Sequence, residues 1–168
     1  PIIPMILVNG TKGIGTGFST DIMCYNPIQI IEYLQNMLNN EKQLGVIEPY
    51  YKNFKGTITP CDSANKKYLI KGCYEILGSD KIRISELPIG TWTQDYKEFI
   101  ETLMNSKEKI YIKDYSDMST ESNVEFIIQF YPNIITKLLM EKHDYGLEGI
   151  EKYLKLYTTQ TTTNMHLF

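Results

Sequence analysis

Apolar residues recur along the chain at two spacings, and these lay out most of its elements. Met5-Ile6-Leu7-Val8, preceded by Pro4 and bounded by Pro and Gly, is a short apolar run that predicts a buried strand. Four glycines follow between positions 10 and 17. Asn26-Pro27-Ile28-Gln29 then marks a helix start: Asn caps, Pro suits the first helical position, and Gln completes a capping box. Ile30, Ile31, Leu34, Met37 and Leu38 give that helix an apolar stripe, and it is expected to end near Asn39 or Asn40.

Residues 45–67 are less regular. Tyr50, Tyr51 and Phe54 beside Lys52 and Lys55 predict an aromatic mini-core with solvated lysines in preference to a nucleic-acid patch. Tyr68 to Leu77 and Lys81 to Leu87 flank Gly78-Ser79-Asp80, a hairpin signal in which Ile82 and Ile84 alternate with polar neighbours. After Pro88 a helix is expected, capped by Thr91 or Thr93, with Tyr96, Phe99, Ile100 and Leu103 on one face. Ile110 to Ile112 predicts a short strand. Asn123 to Tyr131 predicts a longer one, with Val124, Phe126, Ile128 and Phe130 on one side. Pro132 is expected to open a helix carrying Ile135, Leu138 and Leu139. Another follows from Leu147 to Leu156, with Glu148/Lys152 and Glu151/Lys155 pairs at i, i+4. The threonine-rich tail from Thr158 to Thr163 favours an extended segment. The sum is an α+β fold with antiparallel strands and about four helices.

Length and composition set bounds on this picture. A chain of 168 residues can bury one sizeable core, and 42% hydrophobic with 22% charged residues is ordinary for a folded domain. No apolar run approaches the roughly 20 residues that cross a bilayer, so no membrane association is expected. The N-terminus has no signal-peptide pattern, and Pro1-Ile2-Ile3-Pro4 reads as mid-chain sequence of a longer protein. Cys24, Cys61 and Cys73 form no close pair and predict free buried thiols in a reducing compartment, with no zinc site. His143 and His166 lie far apart and read as structural or surface residues. The net charge of −3 lacks the basic footprint of a free-standing DNA-binding domain, so any DNA contact must be local or supported by charge elsewhere.

The glycine cluster is the part most open to a chemical reading. In a Walker A loop, Gly10 and Gly15 would have the right separation, but Thr16 stands where the phosphate-binding Lys belongs. The dinucleotide fingerprint also fails, since Gly13-Ile14-Gly15-Thr16-Gly17 closes one residue early. Both motifs require a helix to open within the loop, whereas the first clear helix starts after Asn26. Nucleotide binding by the Gly10–Gly17 loop is thus an alternative reading, and a protein-interaction module without DNA contact is another. Ile14, a β-branched apolar residue between two glycines, is poorly placed for burial in the chain's own core. Packing beneath a glycine turn and insertion as a wedge into a base step are both open to it.

Pro1 to Thr20 resembles a segment of eukaryotic-type topoisomerase II, a type IIA DNA topoisomerase, whose pattern is approximately P-I-[IL]-P-M-[IV]-L-V-N-G-x-x-G-I-G-T-G-[WF]-S-T. Tyr25-Asn26-Pro27, Ile84 to Gln94, and Leu156 to Phe168 with Asn164-Met165 and Leu167-Phe168 are similar to further family stretches, in the same order. The resemblance implies a tower (or shoulder) fragment of the breakage–reunion core over residues 1–168, with a glycine-rich DNA-contacting segment at 1–25 and an α+β body at 26–168. It implies that Ile14 intercalates in gate-segment DNA and bends it; Asn9, Lys12 and Thr16 lie close enough in sequence to touch the same DNA backbone and are weaker candidates. Thr11-Lys12 stands where many relatives have Ala-Glu, and Gly90 where Arg is common. The resemblance places the cleaving tyrosine, the Mg²⁺ site and the ATP-hydrolysing module of the parent enzyme outside this chain. No catalytic, cofactor-binding or metal-binding residue is therefore expected here; Asp114 and Asp117 read as turn residues. Double-stranded DNA and a second copy of the parent enzyme are the implied partners. The expected location is intracellular, either the nucleus or, for a viral protein, the host cell or virus factory.

Overall fold

Three alternating apolar residues, Phe126, Ile128 and Phe130, are fully buried, and they sit at the centre of the main sheet. In this computed structural model residues 1–167 are described; Phe168, the last residue of the family-like C-terminal stretch, lies outside them. The elements in chain order are α1 (Met5–Asn9), β1 (Thr11–Ile14), β2 (Ser19–Ile22), α2 (Pro27–Leu38), β3 (Thr57–Asp62), β4 (Lys67–Lys71), β5 (Cys73–Leu77), β6 (Lys81–Glu86), α3 (Thr93–Met104), β7 (Ile112–Asp117), β8 (Phe126–Phe130), α4 (Ile134–Met140), α5 (Gly149–Tyr153) and β9 (Tyr157–Thr161). The fold is α+β with antiparallel strands, as the pattern predicts. Strand order is β1-β2 in one sheet, β3-β4-β9 in a second and β5-β6-β8-β7 in a third. The chain divides into two compact units. One comprises residues 1–53, 62–67 and those from Gln160 onward; the other comprises residues 54–61 and 68–159.

The second unit holds the larger core. Ile82 and Ile84 of β6 join the β8 residues, and α3 contributes Tyr96 and Ile100 from the face its spacing predicts. Ile135 and Leu138 of α4 and Ile150 and Leu154 of α5 complete it. Tyr96 is 2% exposed, and its hydroxyl donates to the Leu154 carbonyl at 2.8 Å, so its polar tip is satisfied inside the core. The β5–β6 hairpin forms through Gly78, at φ 75°, as the Gly-Ser-Asp signal requires. The expected strand from Tyr68 to Leu77 is instead two strands in different sheets. Gly72 divides them: a Cβ there would lie 2.3 Å from the Glu86 carbonyl oxygen.

Several elements differ from the pattern-based expectation. Met5 to Val8 lie in a one-turn helix, not a buried strand, and none of the α1 residues is buried. An apolar run this short does not discriminate between the two states; the Leu7 N–H bond to Pro4 O and the positive φ of Gly10 settle the turn. In α2 only Ile30 is buried, while Ile31, Met37 and Leu38 of the expected stripe are exposed. Asn26 caps it by accepting from the Ile28 N–H, at the second helical position, at 2.9 Å; this is a plain N-cap bond, and the expected capping box, which would use the Gln29 N–H, does not form. In the expected aromatic mini-core Tyr50 is exposed, while Tyr51 and Phe54 are half-buried. Trp92, not a threonine, caps α3, and it makes no side-chain cap bond.

Ile110 is exposed, and the strand expected there runs instead through Ile112–Asp117. It is an edge strand with polar outward residues, which leaves no apolar alternation to read. Asp114 and Asp117 consequently lie in β7 rather than in a turn, and the register shifts at Ile112/Asp114. The α4 helix starts at Ile134, after Asn133 in a left-handed conformation, not at Pro132. The last helix is reduced to five residues, and its expected i, i+4 ion pairs do not form. Glu151 pairs with Lys71 and Glu148 with Lys142, because Glu148 stands at the cap rather than within the helix. The threonine-rich tail is extended in β9. All three cysteines are free and half-buried, where the sequence predicts buried thiols. No helix among the described residues is long and apolar enough to cross a membrane.

Candidate nucleic-acid interface

The glycine cluster folds as a β-hairpin, which the apolar pattern does not reveal. Thr11, Lys12, Gly13 and Ile14 of β1 pair antiparallel with Ile22, Asp21, Thr20 and Ser19 of β2. The Gly15 N–H donates to the Phe18 carbonyl at 2.7 Å and closes the tip, and Gly17 supplies the positive φ of 87° that the turn needs. No helix opens within this loop, since α2 starts at Pro27. The geometry that would aim a helix N-terminus at a phosphate, as the nucleotide-binding alternative requires, is not formed.

The foot of the hairpin is fixed and its tip is open. Gly10, at φ 63°, fits so closely that a Cβ there would meet the Ile22 carbonyl oxygen at 2.7 Å. The Tyr25 N–H donates to Leu7 O at 2.7 Å, and the Cys24 thiol donates to Asn9 O at 3.2 Å. Burial pushes the Cys24 thiol up from its ordinary pKa, and that keeps it a donor. Nearby, the Tyr51 hydroxyl is also pushed up, chiefly by burial. Ile22 is 4% exposed and Met23 1%, and they root the second strand in its unit.

At the tip, Ile14 is 85% exposed. Strand alternation places Lys12 on the same face, and its ammonium lies 4.0 Å from Asp21 with 73% of the side chain exposed. That pair is long and wet, so Lys12 keeps most of its attraction for an external anion. Thr16 is exposed in the turn, and Asn9 is exposed at the end of α1, at the hairpin's foot. The structure thus sets Ile14, Lys12 and Thr16 on one projecting element, with Asn9 at its base. Phe18, 69% exposed, is a second large apolar side chain at the tip that the sequence reading passed over. Its signal was available: Ile14 and Phe18 bracket Gly15-Thr16-Gly17, and a turn of that composition offers neither of them a core.

The other candidate features have structural partners. The His143 imidazole lies 3.5 Å from the Glu141 carboxylate, and the His166 N–H donates to Thr20 Oγ1. Gly90 adopts φ 87° with open space around it. Among the described residues, no group of three or more His, Cys, Asp or Glu side chains could hold a metal ion.

Comparison with known proteins gives a consistent result. The sequence model of the A-subunit family of DNA gyrase/topoisomerase IV matches residues 1–168. The chain is 43% identical over 170 residues to DNA topoisomerase 2 of Bombyx mori, covering 100% of this chain and 10% of that protein. It is 41% identical over 171 residues to DNA topoisomerase 2 of Drosophila melanogaster, covering 100% of this chain and 11% of that protein. Among solved structures, it matches the crystal structure of the Plasmodium falciparum topoisomerase II DNA-binding, cleavage and re-ligation domain. The TM-score is 0.89 at 42% identity, with 100% of this chain and 22% of that one covered. The chain therefore spans about a tenth of the length of the curated relatives it matches.

Proposed function

The chain belongs to the A-subunit family of DNA gyrase/topoisomerase IV, and on that premise we propose that it binds and bends gate-segment DNA within a type II DNA topoisomerase. It is the tower part of the breakage–reunion core of an ATP-dependent, double-strand-passing enzyme of the type IIA class. The observation that carries this reading is the 85% exposure of Ile14 at the end of an anchored hairpin. An aliphatic side chain in that position gains by leaving water, and a base step opened by a wedge is an apolar slot of suitable width.

The bend has a cost that the protein must offset. Smooth bending of a 20–30 bp site costs on the order of 1–6 kcal/mol, and each unstacked step adds a few more. Burial of one isoleucine returns only about 2 kcal/mol. Phosphate contacts must supply the rest: Lys12 by charge, and Asn9 and Thr16 by hydrogen bonds to the DNA backbone beside the wedge. A chain of net charge −3 has little to spare. The remainder comes from the rest of the parent homodimer, which also supplies the cleaving tyrosine, the Mg²⁺ site and the ATPase module. The role assigned to this chain is mechanical and electrostatic, and no turnover is assigned to it alone. On this reading the parent works inside the cell, in the nucleus, or in the host cell or virus factory if it is viral.

Ile14→Ala in the full-length enzyme tests the reading. A donor–acceptor pair on the two arms of the duplex is expected to report loss of the bent state, with DNA binding retained through phosphate contacts. Unchanged bending would favour a protein-interaction module without DNA contact. A thermal shift of the isolated chain by ATP or NAD would favour the nucleotide-binding alternative.

A further inference from the structure

The hairpin that carries Ile14 has only two strands, and an isolated two-stranded hairpin is marginally stable in water. A wedge must transmit force, so something has to stiffen it. The stiffening comes from the far end of the chain. The Asp21 N–H donates to Asn164 O at 2.9 Å, on the side of β2 away from β1. The Thr20 hydroxyl lies 2.9 Å from His166 O and accepts from the His166 N–H at 3.1 Å. Asn164 Nδ2 donates to Ser19 Oγ at 3.1 Å, and Gln160 Nε2 donates to Asp21 Oδ1 at 3.0 Å. The Tyr25 hydroxyl reaches Met165 Sδ at 3.5 Å. Every residue of β2 from Ser19 to Asp21 is thereby tied to the segment 160–166.

From this geometry we infer that Thr20 and Asn164 are positioning residues for the DNA wedge, acting by clamping β2 to the C-terminal segment. The inference rests on the wedge reading of Ile14. Thr20 is cross-strand from Gly13, one residue before the wedge. Gly13 adds no side chain to stiffen β1, so the direction in which Ile14 projects is set through β2. The threonine hydroxyl accepts from the His166 N–H and, as donor, faces the His166 carbonyl at 2.9 Å and the Asn164 carbonyl at 3.4 Å. The clamp is reciprocal: any motion of segment 160–166 moves the hairpin, and a duplex that seizes the tip holds the segment.

The test uses the full-length enzyme and the same bending assay, with four variants beside wild type. Thr20→Val keeps the shape and strand preference of the side chain but removes both bonds to His166 and the longer one to Asn164 O; Thr20→Ser keeps the hydroxyl. Asn164→Ala lies outside the sheet and removes only the bond to Ser19. Ile14→Ala sets the fully unwedged limit. The expected result is that Thr20→Val lowers the ratio of bent to unbent duplex about 5-fold, on the scale of a lost hydrogen bond, with duplex affinity unchanged. Thr20→Ser restores the wild-type ratio, and Asn164→Ala shifts it in the same direction by a smaller factor. If Ile14→Ala abolishes the bend and Thr20→Val does not change it, the clamp is overturned and the wedge stands. If Thr20→Ser behaves like Thr20→Val, the hydroxyl bonds are not the cause and the clamp is overturned. If Ile14→Ala leaves the bend intact, the wedge reading fails and the positioning role falls with it.

Discussion

On the proposed reading, Ile14 and Lys12 divide the work of a DNA contact at the level of single side chains. Ile14 contributes shape and burial, and Lys12 contributes a charge held only loosely by Asp21 at 4.0 Å. The two contributions respond differently to salt. Replacement of Lys12 by Gln is expected to weaken duplex binding by the parent enzyme for all sequences alike. It should also reduce the slope of log affinity against log salt by about 1, as the loss of one phosphate contact requires. Titrations at several salt concentrations measure this, and an unchanged slope would remove Lys12 from the interface. Away from the hairpin, Glu151 is 4% exposed, and its carboxylate is held by Lys71 at 2.5 Å while also accepting the Glu148 N–H at 3.1 Å. Glu151→Ala leaves the half-buried Lys71 ammonium and a helix-end N–H without their partner. Urea unfolding should show a loss of about 2 kcal/mol, below the 3–5 typical of fully buried pairs because Lys71 retains contact with water.

Among the elements, β5 and the N-cap residue of α5 are joined by a bond that makes stability depend on pH. The Tyr74 hydroxyl donates to Glu148 at 2.7 Å. This bond, followed in effect by Lys142, holds the Glu148 carboxyl below its ordinary pKa against the opposing effect of burial. A carboxylate depressed in the folded state stabilises it fully above the unfolded pKa, about 4.3. That contribution is lost as pH falls through the folded value. Tyr74→Phe should therefore lower the melting temperature at neutral pH and leave it nearly unchanged in strong acid. Melting curves from pH 7 down to 2 check it, and a uniform loss at every pH would point to packing instead. Legibility in the sequence followed how each element is buried. In β8 and α3 one face meets the core, and the periods of Phe126, Ile128 and Phe130 and of Tyr96 and Ile100 state that directly. In β1 and β7 the outward positions are polar or exposed, so no apolar alternation exists to be read. The division of Tyr68–Leu77 at Gly72 depends on a close approach to Glu86, a contact between residues 14 apart that no local pattern encodes. Ile14, the wedge of the proposed reading, is legible through its flanking glycines and the family resemblance, and Phe18 through the same Gly15-Thr16-Gly17 turn that the two residues bracket, whereas the bonds of Thr20 to residues 164–166 emerge only once the chain is folded.

At the scale of the whole chain, charge limits what the fragment does alone. The balance of 17 basic and 20 acidic residues gives a net −3, and the hairpin is a small part of the surface. Gate-segment bending needs about 1–6 kcal/mol and more for each opened step. Burial of Ile14 at about 2 kcal/mol and a phosphate contact by Lys12 do not reach that sum once the cost of association is included. The isolated chain is thus expected to bind duplex weakly, without sequence preference and without bending it, and to lose that binding between about 50 and 200 mM salt. The full-length dimer, which on the proposed reading contributes basic surface from both protomers, should bind and bend the same duplex in the same buffer. A side-by-side measurement of affinity and donor–acceptor distance separates the cases. Strong bending by the isolated chain at the upper end of that salt range would mean that the hairpin alone offsets the cost of deforming DNA. The rest of the enzyme would then be needed for cleavage and strand passage but not for the bend.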